Sequence, residues 1–307
     1  MENRYFPEGY APEDLSLNEY TENTEGLEYA MENGIILEGR VVLCDSNRNL
    51  HVEFGKFRGI IPKQECVYNP SGTPVKDIAI ITRVGKKVCF VISDINQDEH
   101  GRHIVLSRSA AQKMCCEEYI NNLCNGDVID AKITHMERFG AFCDIGCGVV
   151  ALLPIDCISV SRISHPVERF SCGDVVKCLV KNVERDTFRV TLTRKELLGT
   201  WQENADAFCP GETVAGIVRS VEPYGIFVEL TPNLAGLAEW CEDVEEGDNV
   251  AVYIKSIIPE KMKIKLVIVG SGCESTVPGE VCFFDGTHMD SWTYSPEGCQ
   301  KEIATIF

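Results

Sequence analysis

The sequence lacks the long hydrophobic run that a membrane helix requires. No segment approaches the roughly 18 to 20 uncharged apolar residues that cross a bilayer. The N-terminus is acidic and polar, so it does not resemble a secretory signal. These absences predict a cytoplasmic protein with no membrane partner. The hydrophobic share of 44% and the charged share of 25% exclude wholesale disorder.

Motifs for metal binding and catalysis are also missing. The 16 cysteines include no Cys-x-x-Cys pair, whereas a two-knuckle zinc site needs two such pairs. We therefore expect no metal and no cofactor, and we interpret the cysteines as reduced thiols that behave as small core hydrophobes. The sequence has no phosphate-binding Gly-x-x-x-x-Gly-Lys-Ser/Thr loop and no His-Glu-x-x-His motif. We expect no catalytic residue and no enzymatic activity.

Basic residues are scarce overall, but their distribution matters more than the net charge of −18. Residues 1–34 carry one basic and nine acidic side chains. Residues 35–109 are the positive part, with eleven basic and eight acidic side chains, and residues 124–196 are balanced with ten of each. Much of the excess negative charge thus lies in the tails and the last third. An acidic total does not exclude a nucleic-acid partner for the middle of the chain.

The chain contains internal repeats, which indicate an array of similar units. Arg-Phe-Gly-Ala-Phe-Cys-Asp-Ile at 138–145 aligns with Pro-Tyr-Gly-Ile-Phe-Val-Glu-Leu at 223–230, an offset of 85. A later Gly-Asp turn recurs at an offset of 74, from Gly173 to Gly247, so the last unit is about eleven residues shorter. A more diverged copy precedes both. Three units of roughly 60–75 residues follow from this pattern.

Each unit has the period-two alternation of β-strands. In the third unit Ile226, Val228 and Leu230 alternate with Phe227 and Glu229. Four or five short strands without a long covering helix predict a small closed barrel, because closure removes exposed edges. Stretches without strand alternation predict short helical spacers between the barrels. The predicted divisions are an acidic N-terminal segment 1–34, a degenerate barrel 35–109, a spacer 110–123, a barrel 124–196, a spacer 197–207, a shortened barrel 208–270 and an extension 271–307.

Aromatic residues occupy the outer face of the second and third barrels. The alternation that buries Ile226 and Val228 directs Phe227 outward, and the same register directs Phe142 outward. Three residues earlier stands another ring, Phe139 or Tyr224, separated from the first by a glycine. Unpaired bases stack on such rings at about 1–3 kcal/mol each. A ring at a strand end also occurs without any function or as a cap on the core, and this alternative stays open.

Cations recur in the last two strands of the same units. Stacking rings bordered by cations are typical of a surface that binds single-stranded nucleic acid. The predicted RNA-binding residues are Phe139, Phe142, Lys177, Lys181 and Arg189 in the second unit and Tyr224, Phe227, Tyr253, Lys255, Lys263 and Lys265 in the third. The first unit has Arg48 and His51 where the rings would be. We expect it to keep the barrel but to stack bases poorly, and to be suited to contact with protein.

These motifs resemble the S1 RNA-binding domain of the OB-fold class. The residues that carry the resemblance are Gly-Asp-Val at 126–128, Arg-Phe-Gly-Ala-Phe-Cys-Asp-Ile at 138–145, Ile-Ser-His-Pro at 163–166 and Arg-Val-Thr-Leu-Thr-Arg-Lys at 189–195. Three tandem copies over residues 35–270 are similar to the bacterial ribosomal protein S1 family. The resemblance implies an all-β chain of three tandem five-stranded OB-fold barrels that binds single-stranded RNA. It also implies attachment to the small ribosomal subunit, with residues 35–109 as the candidate docking unit.

One departure from the family pattern weakens the expected binding. Members often carry a histidine just after the apolar run of the second strand, whereas this chain has Pro154 and Glu239 at that place in the pattern. The departure implies lower affinity in each barrel, with avidity between the two ring-bearing units supplying much of the binding.

The two ends of the chain predict local structure. Val281–Phe284 is interpreted as a strand and Asp285–Gly286 as a turn of a hairpin that folds back on the third barrel, with a partner-binding peptide as the alternative. A short helix is predicted at Thr24–Glu32.

The sequence therefore predicts a single-stranded RNA-binding protein that acts in translation on messenger RNA and the small ribosomal subunit and is monomeric when free. The alternatives are a protein-interaction scaffold and a regulator of RNA turnover or transcription built from the same barrels.

Overall fold

The computed structural model describes residues 5–10, 19–70, 72, 75–98, 101–272 and 280–307. These residues form three closed five-stranded barrels and confirm the predicted all-β fold class with helical connections. Each barrel has the same strand order, in which the third strand pairs in parallel with the fifth and the other neighbours are antiparallel.

The barrels are built from consecutive sets of five strands. Barrel one comprises β1 (Leu37–Cys44), β2 (Leu50–Phe54), β3 (Phe57–Ile61), β4 (Lys87–Asp98) and β5 (Gly101–Ser107). Barrel two comprises β6 (Val128–Glu137), β7 (Gly140–Asp144), β8 (Val150–Pro154), β9 (Val175–Glu184) and β10 (Arg189–Thr193). Barrel three comprises β11 (Thr213–Glu222), β12 (Gly225–Thr231), β13 (Leu234–Ala238), β14 (Asn249–Ile258) and β15 (Lys263–Ser271). The limits of the predicted domains themselves stay a prediction.

Helices connect and cover the barrels. The α-helices are α1 (Thr24–Glu32), α2 (Asp77–Ile81), α3 (Arg108–Glu118) and α4 (Trp201–Ala205). Short 3-10 helices lie at Glu19–Thr21, Lys63–Glu65, Ile120–Asn122, Ile155–Cys157, Pro166–Glu168, Lys195–Leu198 and Pro259–Lys261. The prediction of a helix at Thr24–Glu32 is confirmed. It begins there because the Asn23 side chain accepts a hydrogen bond from the amide of Gly26 at 2.8 Å.

Strand alternation fills the barrel interiors as the sequence predicts. Ile226, Val228 and Leu230 are fully buried in barrel three. A glycine opens the second strand of barrels two and three because the third strand passes very close there. A Cβ atom at Gly140 would lie 2.5 Å from the carbonyl oxygen of Leu153, and one at Gly225 would lie 2.6 Å from that of Ala238. The glycine between each pair of rings is therefore required by the backbone contact.

Residues 5–10 of the N-terminal segment connect barrel one to barrel two through hydrogen bonds. The Arg108 guanidinium donates to both carboxylate oxygens of Glu8, at 2.7 and 3.0 Å. The Glu8 amide donates to Asp144 at 2.7 Å. Burial, and after it the neighbouring Glu8 carboxylate, raise the pKa of Asp144 to about 7. Since Arg108 and Glu8 are both buried, this pairing fixes the two barrels against each other.

A second buried ion network joins barrels two and three. Arg169, beside the 3-10 helix Pro166–Glu168, donates to Glu229 of β12 at 2.7 Å, and Arg219 of β11 donates to the same carboxylate at 2.7 and 3.2 Å. Arg219 also bonds to Glu168. Burial alone would raise the pKa of Glu229, but the two guanidinium groups lower it below its usual value. The carboxylate thus stays charged at the interface.

The C-terminal extension lies against both of these barrels. Trp292 and Tyr294 are buried with barrel-three core residues, and the Tyr294 hydroxyl donates to the carbonyl of Asn233 at 2.6 Å. The amide of Met289 donates to the carbonyl of Gly126 in barrel two at 2.9 Å. The strand predicted at Val281–Phe284 is wrong.

The extension does contain a hairpin, but farther along the chain. Its strands are β16 (Ser291–Thr293) and β17 (Ala304–Ile306). Residues 280–286 have no regular structure. The apolar run there makes other contacts, since the amide of Phe283 donates to the carbonyl of Leu197 at 2.9 Å. Apolar character alone did not indicate a strand here, because Val281 and Phe283 are 55% and 43% exposed and the run takes part in no β-ladder of the described residues.

Candidate nucleic-acid interface

Barrels two and three carry the same pair of rings on the same outer face. Phe139 and Phe142 meet edge to face, with ring centroids 5.8 Å apart and planes at 88°. Tyr224 and Phe227 repeat this geometry at 6.3 Å and 86°. The first ring of each pair precedes the second strand and the second ring lies on it, so the glycine between them sets the arrangement.

The rings lie outside the barrel cores. Phe139 is 56% exposed and Tyr224 is 69% exposed. Phe142 and Phe227 are half-buried, and neither belongs to the hydrophobic clusters that fill the barrels. The alternative in which the rings cap the core therefore does not describe this structure. The four rings form two surfaces, which we call platform two (Phe139 and Phe142) and platform three (Tyr224 and Phe227).

Strand register extends each platform into a row across the barrel. Phe142 faces Leu152 of β8, which faces Thr191 of β10. In the same way Phe227 faces Leu237 of β13, which faces Lys265 of β15. Neighbouring strands lie about 4.8 Å apart, so Lys265 is roughly 10 Å from Phe227 across the sheet. The predicted pairing of a cation with the stacking ring is therefore spatially close in barrel three.

The sequence analysis missed a third ring in platform two. His135 of β6 stacks on Phe142, with centroids 6.1 Å apart and planes at 17°. Its Nε2 atom lies 2.8 Å from Glu137 Oε1. A β-bulge between Ile133 and His135 brings the histidine to the outer face, whereas strict alternation from Ile133 would turn it inward. The repeat offset of 85 places Ser220 at the same position of barrel three, beside a bulge of its own.

Lys181 and Lys255 occupy equivalent positions beside the platforms. Each lies in the bulge of the fourth strand, Lys181 opposite Thr191 and Leu192 and Lys255 opposite Lys265 and Leu266. Lys181 donates to Cys157 Sγ at 3.2 Å, and this bond raises the pKa of Lys181, so its positive charge is kept.

Each of these two lysines contacts a residue just after the third strand of its barrel, and these contacts place the lysines near the exposed rings. The 3-10 helix Ile155–Cys157, which holds the sulfur partner of Lys181, is bonded through the Ile155 amide to the carbonyl of Phe139 at 2.9 Å. Lys255 pairs with Glu239 at 3.4 Å, one residue beyond the end of β13. The carboxylate at Glu239 offsets part of the charge in barrel three.

Arg189 and Lys263 flank the opposite end of the platform rows. Arg189 precedes Thr191 by two residues on β10, and Lys263 precedes Lys265 by two residues on β15, so both pairs share the outer face. Both cations are exposed. Within the described part of the chain, neither side chain makes a hydrogen bond or an ion pair.

Lys177 and Tyr253 are not brought to the platforms. Lys177 of β9 faces Asp130 of β6 and bonds to it at 3.2 Å. Asp130 is five residues from His135 along the strand, or about 17 Å. Tyr253 of β14 faces Thr213 and Val267, away from the row that contains Phe227. Both stay predictions as RNA contacts, without support from their position.

Barrel one has a different surface at the equivalent row. His51 of β2 faces Ile60 of β3 and Leu43 of β1, in the register that Phe142 occupies in barrel two. Leu43 is 52% exposed and Ile60 is 37% exposed. Arg48, predicted to replace the first ring, donates to Asp77 at 2.9 Å. Barrel one thus presents aliphatic side chains and a histidine in place of stacked rings.

In the described ranges, no cluster of three or more His, Cys, Asp or Glu side chains is arranged to hold a metal ion. None of the helices that the structure describes is long and apolar enough to cross a membrane.

Residues 124–195 match the family described as S1 RNA binding domain. The small ribosomal subunit protein bS1 of Staphylococcus aureus is 28% identical over 270 residues, which cover 83% of this chain and 65% of the relative. The bS1 homolog of Bacillus subtilis is 30% identical over 199 residues, which cover 59% of this chain and 51% of the relative. The chain thus spans from half to just under two-thirds of the length of these curated relatives.

A solved structure was also found. A multidomain protein with nucleic acid binding domains from Streptococcus pneumoniae is 12% identical and covers 76% of this chain and 73% of its own, with a TM-score of 0.25. At this TM-score the likeness carries no argument, and the fold assignment depends on the strand order described above. Residues 124–195 therefore match the S1 RNA binding domain family, and 83% of the chain is similar in sequence to the bacterial ribosomal protein bS1.

Proposed function

We propose that this chain binds single-stranded RNA through platforms two and three. The observation that carries the proposal is the repeated edge-to-face ring pair on one outer face of two barrels. Exposed rings in pairs are costly in water unless they contact a partner. Bases stack on them at about 1–3 kcal/mol each, with little dependence on sequence.

Cations beside the platforms supply the second requirement of RNA binding, which is charge opposite to the phosphates. Lys181, Lys255 and Lys265 lie close to the rings, and Arg189 and Lys263 extend the same faces. The net charge of −18 does not oppose this, because the charge that matters is local within about one Debye length, roughly 8–10 Å.

We propose further that the protein acts in translation, associating with messenger RNA and the small ribosomal subunit. Similarity to bS1 proteins over 83% of the chain supports this role. The exposed Leu43 and Ile60 on barrel one favour that barrel as the contact with the subunit, since apolar patches suit protein partners. The role implies a cytoplasmic protein without catalytic activity, and we take the free chain to be a monomer.

The alternative with a specific observation behind it is a protein-interaction scaffold. Lys255 is paired with Glu239 and Lys177 with Asp130, so carboxylates already match part of the cation supply. A regulator of RNA turnover or transcription would use the same platforms, and RNA binding alone does not separate it from a translation factor.

Titration of labelled single-stranded RNA at several salt concentrations tests the proposal. We expect the full chain to bind with a linear log–log dependence on salt, with a slope of roughly 0.7 for each phosphate contacted. Replacing Phe142 and Phe227 with alanine should weaken binding roughly five-fold or more for each lost stacking contact. Tyr29→Ala is the matched control, because it removes a ring that is 53% exposed on α1.

Unchanged affinity in the double variant would favour the scaffold. Co-sedimentation of the full chain with purified small ribosomal subunits then separates a translation role from a regulator, because only the former predicts stoichiometric recovery with the subunit.

A further inference from the structure

A cationic cleft of about 500 Å³ separates barrels one and two. Five basic side chains line it: Arg40, Arg83, Lys86 and Lys87 from barrel one and Lys132 from barrel two. The carboxylates that line it are Glu8 and Asp144. This is an unusual concentration of positive charge in a chain whose net charge is −18.

Much of the positive charge in the cleft is not neutralised. Lys86 is exposed, and its side chain makes no hydrogen bond or ion pair with the described residues. Arg40 uses one guanidinium nitrogen on the carbonyl of Gly85, at 3.1 Å, and Lys132 donates to the carbonyl of Glu8, at 2.8 Å. Both of these acceptors are uncharged, so the two cations keep their full charge toward the cleft.

The carboxylates in the cleft are already engaged by other groups. Glu8 is held by Arg108 through two hydrogen bonds and lies 3.6 Å from Arg83. Asp144 accepts from the backbone amides of Glu8, Gly146 and Gly148. Lys87 pairs with a further carboxylate, Glu38, at 3.0 Å. The cleft therefore presents an excess of positive charge to any ligand.

The cleft adjoins platform two. Thr134 and Val150 line the cleft. The Thr134 hydroxyl donates to the carbonyl of Phe142 at 3.0 Å. Val150 is two residues from Leu152, the residue that faces Phe142 across the strands, which is about 7 Å along β8. A strand stacked on Phe142 therefore reaches the cleft without leaving the protein surface.

We propose that the sugar–phosphate backbone of an RNA strand stacked on platform two continues into this cleft, where Arg40, Lys86 and Lys132 bind its phosphates. Barrel one then contributes to RNA binding through charge and not through rings. This assignment accounts for the positive balance of residues 35–109, eleven basic against eight acidic, in a barrel that lacks the ring pair. The inference rests on the proposed function, because platform two places the strand.

The experiment compares two lengths of single-stranded RNA on the full chain. An oligonucleotide of about 6 nucleotides covers little more than one barrel, whereas one of about 20 nucleotides reaches beyond it, given site sizes of roughly 4–16 nucleotides for this class of barrel. The test variant is Arg40→Gln with Lys86→Ser. The matched control is Lys113→Ser with Lys301→Ser, which removes two exposed cations outside the cleft lining.

We expect the cleft variant to bind the long RNA about three- to ten-fold more weakly and to lower its salt slope by roughly 1.4, or 0.7 for each lost phosphate contact. Binding of the short RNA, and binding of both RNAs by the control, should be unchanged. An unchanged long-RNA affinity and slope would overturn the inference, as would equal losses on both RNAs or in the control. Phe142→Ala distinguishes failure of the inference from failure of the proposed function. If this variant binds both RNAs as tightly as the original chain does, the proposed function itself fails.

Discussion

His135 stacks on Phe142 with ring planes at 17°, and this contact makes the two platforms unequal. Platform two has a third ring behind the edge-to-face pair, whereas barrel three has Ser220 at that position. A half-buried Phe142 held by a neighbouring ring loses less rotational freedom when a base stacks on it. We therefore expect platform two to bind a base more tightly than platform three does.

The first prediction concerns this third ring. His135→Ala should weaken binding of a short single-stranded RNA a few-fold, because Phe142 loses the ring that stacks on it and platform two loses part of its stacking surface. The reciprocal change, Ser220→His, should strengthen binding at platform three by a similar factor. The measurement is fluorescence anisotropy of a labelled short RNA. Equal affinity in both variants and the original chain would mean that the stacking contact is irrelevant to RNA.

A second prediction concerns the buried carboxylate between barrels two and three. Glu229→Gln leaves Arg169 and Arg219 without their shared negative partner, and breaking such a buried pairing costs about 3–5 kcal/mol. Urea denaturation followed by tryptophan fluorescence reports on this loss of stability. The three tryptophans of the chain, at positions 201, 240 and 292, lie on or next to barrel three.

Glu239→Gln provides the control for that measurement. Glu239 is exposed and pairs with Lys255 at 3.4 Å, so its loss should change stability by no more than about 1 kcal/mol. Similar denaturation curves for the two variants would show that the Glu229 network does not hold the barrels together.

The fold could be predicted from the sequence because each barrel repeats the same alternation of inward-facing and outward-facing residues. The offset of 85 that aligns Phe142 with Phe227 also aligns their strands, so a register read in one barrel transfers to the next. The exception is the C-terminal extension. Its run at Val281–Phe284 is held by the hydrogen bond from the Phe283 amide to Leu197, while Val281 and Phe283 are exposed. Apolar character without a defined partner does not distinguish a strand from an irregular segment.

The candidate site was predicted less completely than the fold. Phe139 and Tyr224 are as exposed as their sequence position indicates. His135 was missed because a bulge resets the alternation, and a bulge leaves little trace in a single sequence. Lys177 stays a prediction without support from its position beside Asp130, because alternation gives the face of a strand but not the part of a closed barrel to which that face points.

A third prediction tests the contact of the C-terminal extension with barrel two. Gly126 and Gly211 are equivalent turn glycines with φ of 91° and 97°. A Cβ atom at Gly126 would overlap the carbonyl oxygen of Met289, whereas one at Gly211 would meet nothing within 4 Å. Both alanine substitutions add the strain of a positive φ.

Of the two variants, only Gly126→Ala should in addition displace the C-terminal extension. We expect it to lower the melting temperature more than Gly211→Ala, and to increase proteolysis within residues 280–307. Equal melting temperatures and cleavage rates would indicate that the extension is not seated on barrel two.

A fourth prediction concerns pH. The hydrogen bond from His288 to Asp127 raises the pKa of the histidine, and the nearby Asp290 adds to the shift. A raised pKa in the folded state means that the contact stabilises the fold fully below the unfolded pKa of about 6.5 and is lost as pH rises through the folded value. NMR titration of the His288 ring should give a pKa that falls toward 6.5 in Asp127→Asn, and falls less in Asp290→Asn. The same pKa in all three chains would contradict this geometry.

The proposed function depends on bases stacking on the rings of the two platforms. NMR of protein labelled at phenylalanine, titrated with short single-stranded RNA at low salt, observes this stacking. We expect upfield shifts of the Phe142 and Phe227 ring protons and through-space contacts from those rings to base protons. RNA binding that leaves both sets of ring signals unmoved, with contacts only to other parts of the surface, would contradict it.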